Sequence, residues 1–248
     1  MATIAFSHLA SAGKKESTEK IVANIRKYHP DAYYFLGSDC ADDLSDIAKK
    51  YNCHYHYFDR KLGYPDPNYG YEIHNILNWL ERFKYACLNC KSTHIMMTED
   101  DVWLTKPVTV HDEWEMACHP VSVEQNIPNV VLDYIEGYCG KRPVTKYYGG
   151  GGGSIYNVKT FLENYDKITE WFMINASYIQ SNFYGTLGWM DCFLVIFFYL
   201  CGKDYTVNPY MTDTHNHKPG FDYDEFISKL EPHIEIVNNY KRFYWNES

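Results

Sequence analysis

The chain has 248 residues, of which 46% are hydrophobic and 22% charged, so it can bury a full core and does not have the composition of a disordered segment. Its formal net charge is −9, and no Lys/Arg run is longer than Lys14-Lys15 or Lys49-Lys50, which excludes the basic footprint of a nucleic-acid binder. A phosphate ligand would have to find its positive charge elsewhere.

The N-terminal stretch MATIAFSHLASAGKKES lacks a basic start followed by an apolar run, and the longest apolar block, Cys192 to Cys201, is about half a membrane span. The expectation is a soluble, cytoplasmic protein with no transmembrane segment. Thr3 to Ala10 reads as a short apolar strand, and Thr18, Ile21, Val22, Ile25 and Tyr28 then recur at helical spacing. Strand TIAFSHLA followed by SAGKK is a near miss for a phosphate-binding loop, because glycine is missing at His8 and Ser or Thr at Lys15. Ala32 to Gly37 is a second strand, Leu44, Ile47, Ala48 and Tyr51 mark a second helix, and Cys53 to Phe58 is a third strand.

A Gly/Pro-rich loop, LGYPDPNYG, leads into a long helix from about Tyr71 to Cys90, and His94 to Thr98 is a fourth, buried strand. Cys87 and Cys90 form a CxxC, but Ile76, Leu80, Phe83, Cys87 and Cys90 step by four and three along one helical face, so they read as core residues. The eight scattered cysteines are expected to be reduced thiols. Four alternations of strand and helix predict an α/β fold, a mostly parallel central sheet with helices on both faces.

Beyond Asp101 the pattern loosens. Glu115 to His119 reads as a strand, residues 122 to 147 as mostly loop, and Ser154 to Tyr156 as a short strand. Asn157 is the expected N-cap of a helix carrying Val158, Phe161, Leu162 and Tyr165, and Phe193 to Leu200, apolar on every side, is expected to be buried.

The fourth strand runs straight into Glu99-Asp100-Asp101. Ligands of open α/β sheets collect beyond the carboxyl ends of the strands, and clustered acids there suit a hard divalent cation such as Mn²⁺ or Mg²⁺, which takes carboxylate and phosphate oxygens. An acidic protein can thus bind a diphosphate through a metal. The tract YYGGGGGS, Tyr147 to Ser154, is either a slack tether or a backbone surface left bare for a ligand. The segment after it lacks the makings of a second module, which favours the surface. On that reading Gly151, Gly152 and Gly153 form a wall of the substrate pocket, and replacing Gly152 by valine costs transfer more than folding.

An apolar strand ending in an acidic triplet, then a glycine-rich loop, then Asp191 opening a helix in GWMDCFL, then a histidine in THNH, resembles the motif order of the GT-A fold glycosyltransferases with a DXD motif. The compact size also looks like the small glycosyltransferases of large DNA viruses that infect algae. The resemblance implies one GT-A-like domain over 1–248, with a nucleotide-binding half, 1–101, and an acceptor-binding half, 102–248. It implies a nucleoside-diphosphate sugar donor, UDP- or GDP-linked, and a glycan or glycoprotein acceptor. Asp101 would ligate the metal with His215 or His217, Glu99 would reach the ribose or a metal-bound water, and Asp100 would line the same site.

Asp191, at a positive helix end, would be the general base of an inverting transfer, and Trp189 beside it a pocket residue. The loops after the first two strands offer Ser7, His8, Ser38 and Asp39 to the nucleotide, with Asp39 suited to the base, and Arg60 follows the third strand toward the diphosphate. The segment from about Ser122 to Tyr148, with Tyr134, Tyr138, Tyr147 and Tyr148, is expected to set acceptor choice. Two other classes remain open at this point: a nucleotidyltransferase acting on a sugar phosphate, for which SHLASAGKK is a poor phosphate loop, and a non-catalytic module that binds sugars or nucleotide sugars through its aromatics.

Overall fold

A computed structural model describes residues 1–40, 42–60, 73–99, 102–104, 106–118, 127–143, 152–175 and 192–207. In chain order the elements are β1 (Ile4–Ala10), α1 (Lys15–Tyr28), β2 (Tyr34–Asp39), α2 (Ser45–Lys50), β3 (His54–Phe58), α3 (Ile73–Asn89), β4 (His94–Thr98), β5 (Met116–Cys118), α4 (Asn129–Cys139), β6 (Ile155–Asn157), α5 (Val158–Ile174), α6 (Cys192–Leu200) and β7 (Tyr205–Val207). They form one seven-stranded sheet in the order β3-β2-β1-β4-β6-β5-β7. The first four strands pair in parallel, as the strand and helix alternation predicts. β6 runs antiparallel to both β4 and β5, and β7 is parallel to β5.

Side-chain alternation along the strands builds two cores. Ala5, Phe35, Ile95, Tyr156 and Met116 face α3, α4, α5 and α6. Phe6, Tyr34, Leu36, Met96, Ile155 and Ala117 face α1, α2 and the segment around Val102 to Trp114. This is the period of two expected of strands covered on both faces. α6 carries Phe193, Leu194, Val195, Ile196, Phe197 and Phe198, each at most 1% exposed. Each such side chain contributes about 1.5–3 kcal/mol by burial, so this short helix is held by packing on all sides.

Two sequence expectations change. Residues 129–139, expected as loop, form α4: Val131, Leu132 and Ile135 recur one helical turn apart and are buried, Pro128 precedes the helix, and Gly140 ends it at φ +74°. Tyr134 and Tyr138, expected to select an acceptor, pack from this helix onto the Trp171 ring of α5, with centroids 5.6 and 5.7 Å apart. β2 starts and ends two residues later than expected, because the Arg26 guanidinium takes the Ala32 carbonyl at 2.6 Å while Ser38 and Asp39 stay in register with Ala10 and Phe58.

The Asn157 cap and the core placement of Cys87 and Cys90 hold. The Asn157 side chain accepts the Thr160 N–H at 3.0 Å and caps α5. Cys87 is buried against the core and Cys90 packs at its edge. None of the seven cysteines whose side chains are described is in a disulfide. Among the described residues no helix is long and apolar enough to cross a membrane.

Candidate functional site

The connections from β1 to β2 to β3 proceed in one direction across the sheet, and β4 then returns to the other side of β1. That reversal opens a crevice beyond the carboxyl ends of β1 and β4, the place where open α/β sheets take ligands. His8 of β1 is in register with Leu36 of β2 and Thr98 of β4, so Glu99 follows β4 and Asp39 ends β2 at the carboxyl edge of the sheet, while Ser7, level with Phe35 and Met97, lies midway along β1. By sheet spacings Asp39 and Glu99 are on the order of 10 Å apart.

Midway along β1 lies a buried polar network. Thr98 donates its hydroxyl to the Ser7 carbonyl at 3.2 Å, and its oxygen lies 3.3 Å from both His8 Nδ1 and the Tyr34 hydroxyl. On the other side of the ring, His8 Nε2 lies 3.4 Å from the Thr18 hydroxyl oxygen. His8 is 1% exposed and its ring is held within the fold, whereas Ser7, at 8%, reaches the surface slightly. His8 thus braces β1 against α1 and β4.

At the β2 end, Asp39 Oδ1 accepts from Arg82 Nη1 at 2.6 Å, and both side chains are buried. Arg82 also donates through Nε to Asn78 at 3.2 Å and through Nη2 to the Arg60 carbonyl, and its guanidinium lies 4.4 Å from the Phe58 ring centroid. Burial lowers the Arg82 pKa and the Asp39 charge counters it. The partner of Asp39 is therefore Arg82 of α3, which sequence reasoning did not select. Arg60, which it did select, is exposed and contributes its carbonyl to Arg82. The signal that could have found Arg82 is a lone arginine among Leu80, Phe83, Ala86 and Cys87 on the apolar face of α3, since a buried charge requires a partner.

At the β4 end, the Val102 N–H donates to the Glu99 carbonyl at 3.1 Å. Asp100 and Asp101 lie outside the described residues, as do Gly151, Trp189, Asp191, His215 and His217. The second half of the glycine tract lies directly against this turn. A Cβ on Gly152 would sit 2.5 Å from Val102 Cγ2, 3.0 Å from Glu99 Cβ and 3.1 Å from Glu99 Cδ, closer than folded side chains allow. Gly153, at φ +86°, donates to the Met97 carbonyl at 2.5 Å, and Ser154 returns its carbonyl to the Met97 N–H at 2.9 Å. The bare backbone is thus required for the tract to pack on Glu99 and enter β6. Among the described residues no group of three or more His, Cys, Asp or Glu could hold a metal.

No protein-family model and no characterised protein sequence matches this chain. Solved structures do. The galactosyltransferase LgtC in complex with donor and acceptor sugar analogues is similar with a TM-score of 0.50 and 12% identity, over 82% of this chain and 73% of that one. An active-site mutant of LgtC is similar with a TM-score of 0.50 and 11% identity, over 88% and 81%. S. aureus TarS aligns with a TM-score of 0.42 and 12% identity, over 66% of this chain, which spans about half (49%) of the TarS chain. At such identities the likeness is one of fold: the chain has the α/β fold of the GT-A glycosyltransferases, with a mixed, mostly parallel sheet.

Proposed function

We propose that this protein is a metal-dependent glycosyltransferase that moves a sugar from a nucleoside-diphosphate sugar to an acceptor hydroxyl. The observation that carries this reading is the placement of Glu99 at the end of the buried strand β4, beside the crevice between β1 and β4 and against the bare backbone of Gly152. The LgtC fold match supports it, since LgtC has been solved with donor and acceptor sugar analogues. On this reading 1–248 is one domain with a nucleotide-binding half up to residue 101.

Ser7 and Asp39 would line the nucleotide side, and the Arg82 pair would fix the Asp39 carboxylate in place. Carboxylate oxygens of the triplet, Asp101 foremost, with His215 or His217, form a donor set suited to Mn²⁺ or Mg²⁺. A bound divalent ion would offset the charge of the departing diphosphate. Asp191 would accept the proton of the acceptor hydroxyl while that oxygen forms a bond to the anomeric carbon and the bond to the diphosphate oxygen breaks, giving an inverted product.

The deciding experiment is donor cleavage with a panel of nucleotide sugars and Mn²⁺. Asp101→Ala is expected to abolish it, and a fully active variant would sink the metal assignment. Asp191→Asn is expected to keep donor binding and lose transfer; equal loss of both would remove its role as base.

A further inference from the structure

We propose that Asn24 is a positioning residue for the acidic triplet: a clamp on α1 that fixes the register of the chain leaving it. This rests on the reading of Glu99 to Asp101 as the donor and metal site.

Asn24 lies in the middle of α1 and is 5% exposed. Asparagine is a poor residue for a helix interior, and a buried amide is costly unless its groups are used. Here both halves serve one residue 80 positions away. Nδ2 donates to the Leu104 carbonyl at 2.9 Å, and Oδ1 accepts the Leu104 N–H at 2.8 Å. The amide thus reads the backbone of Leu104 as a neighbouring strand would.

Leu104 is three residues past Asp101, and Val102 between them returns its N–H to the Glu99 carbonyl. Val102 and Leu104 are also anchored apolar side chains in the second core. Apolar anchoring resists removal but tolerates sliding, whereas two opposed hydrogen bonds fix the register along the chain. With Gly152 packed close to Glu99 and Val102, the chain that returns to Glu99 through the Val102 N–H is pinned to α1 at Leu104.

The test uses Asn24→Ala and Asn24→Asp in the full chain. The aspartate keeps an acceptor for the Leu104 N–H and loses the donor to its carbonyl. Asn157→Ala, which removes the N-cap of α5, serves as a comparably destabilised control outside the site. In amide hydrogen exchange, Leu104 is expected to lose at least about tenfold protection in Asn24→Ala, with Ile95 and Met96 of β4 unchanged. The Mn²⁺ concentration for half-maximal donor cleavage is expected to rise about tenfold or more in both Asn24 variants, the scale seen when groups supporting metal ligands are removed. It should stay at the wild-type value in Asn157→Ala.

Wild-type protection at Leu104 would overturn the clamp. A wild-type Mn²⁺ requirement in folded Asn24 variants, or an equal rise in the control, would overturn the positioning role. Absence of donor cleavage in the wild-type protein would count against the proposed function, and hydrogen exchange at Leu104 would still decide the clamp.

Discussion

Asp39 and Arg82 show how one side-chain pair sets the cost of change at the edge of the sheet. Both are buried, so removing the arginine takes the guanidinium away from a carboxylate in a poorly solvated place. Arg82→Met is expected to lower stability by about 3–5 kcal/mol in urea denaturation, and Asp39→Asn by less, because a neutral amide left behind is easier to bury. Gly152 poses a steric problem instead. Gly152→Ala places a methyl 2.5 Å from Val102 Cγ2, so folding should suffer by about 1–3 kcal/mol as well as transfer. That revises the expectation that folding would be largely spared by a side chain at this position. Adding Val102→Ala should recover a good part of the lost stability, and a double variant no better than the single would place the strain elsewhere.

Among the elements, α1 holds the segment after the triplet at a second point. His29, which follows its last turn, accepts the Val108 N–H on Nε2 at 2.9 Å, so that nitrogen is unprotonated in the fold, and burial lowers the His29 pKa. As the pH falls below the ordinary histidine value of roughly 6.5, the unfolded chain takes up this proton before the folded one. Stability from this contact is therefore complete above that pH and is lost progressively as the pH drops toward the lowered folded value. His29→Leu should show a shallower loss between pH 7 and pH 5 than the wild type, with a lower starting stability, when urea midpoints are compared. Parallel pH profiles would remove His29 from this role. Helix α4 is the element that composition concealed, since its aromatic and acidic residues read as loop while Val131, Leu132 and Ile135 carried the helical period.

For the molecule as a whole, the proposed function predicts linkage between donor, metal and folding. A nucleoside-diphosphate sugar at about 100 times its Kd adds about 2.7 kcal/mol to the native state, which raises Tm by about 5–10 °C for a chain of this size. The rise should require Mn²⁺ or Mg²⁺ and should vanish in Asp101→Ala. A donor that raises Tm equally in chelator would point to binding without the metal.

Local pattern was enough for much of this architecture. Apolar runs of five to seven residues alternating with helical periods placed β1 to β4 and α1 to α3, because burial on one or both faces writes a period of two or 3.6 into the chain. The acidic triplet after a buried strand and the glycine tract were visible for the same reason, being contiguous in sequence. Relations between distant residues were not. The antiparallel insertion of β6 beside β4, the Asp39 and Arg82 pair across 43 positions, and the Asn24 and Leu104 clamp across 80 depend on how elements dock. A buried polar group declares in sequence only that it needs a partner, and the tertiary structure decides which one.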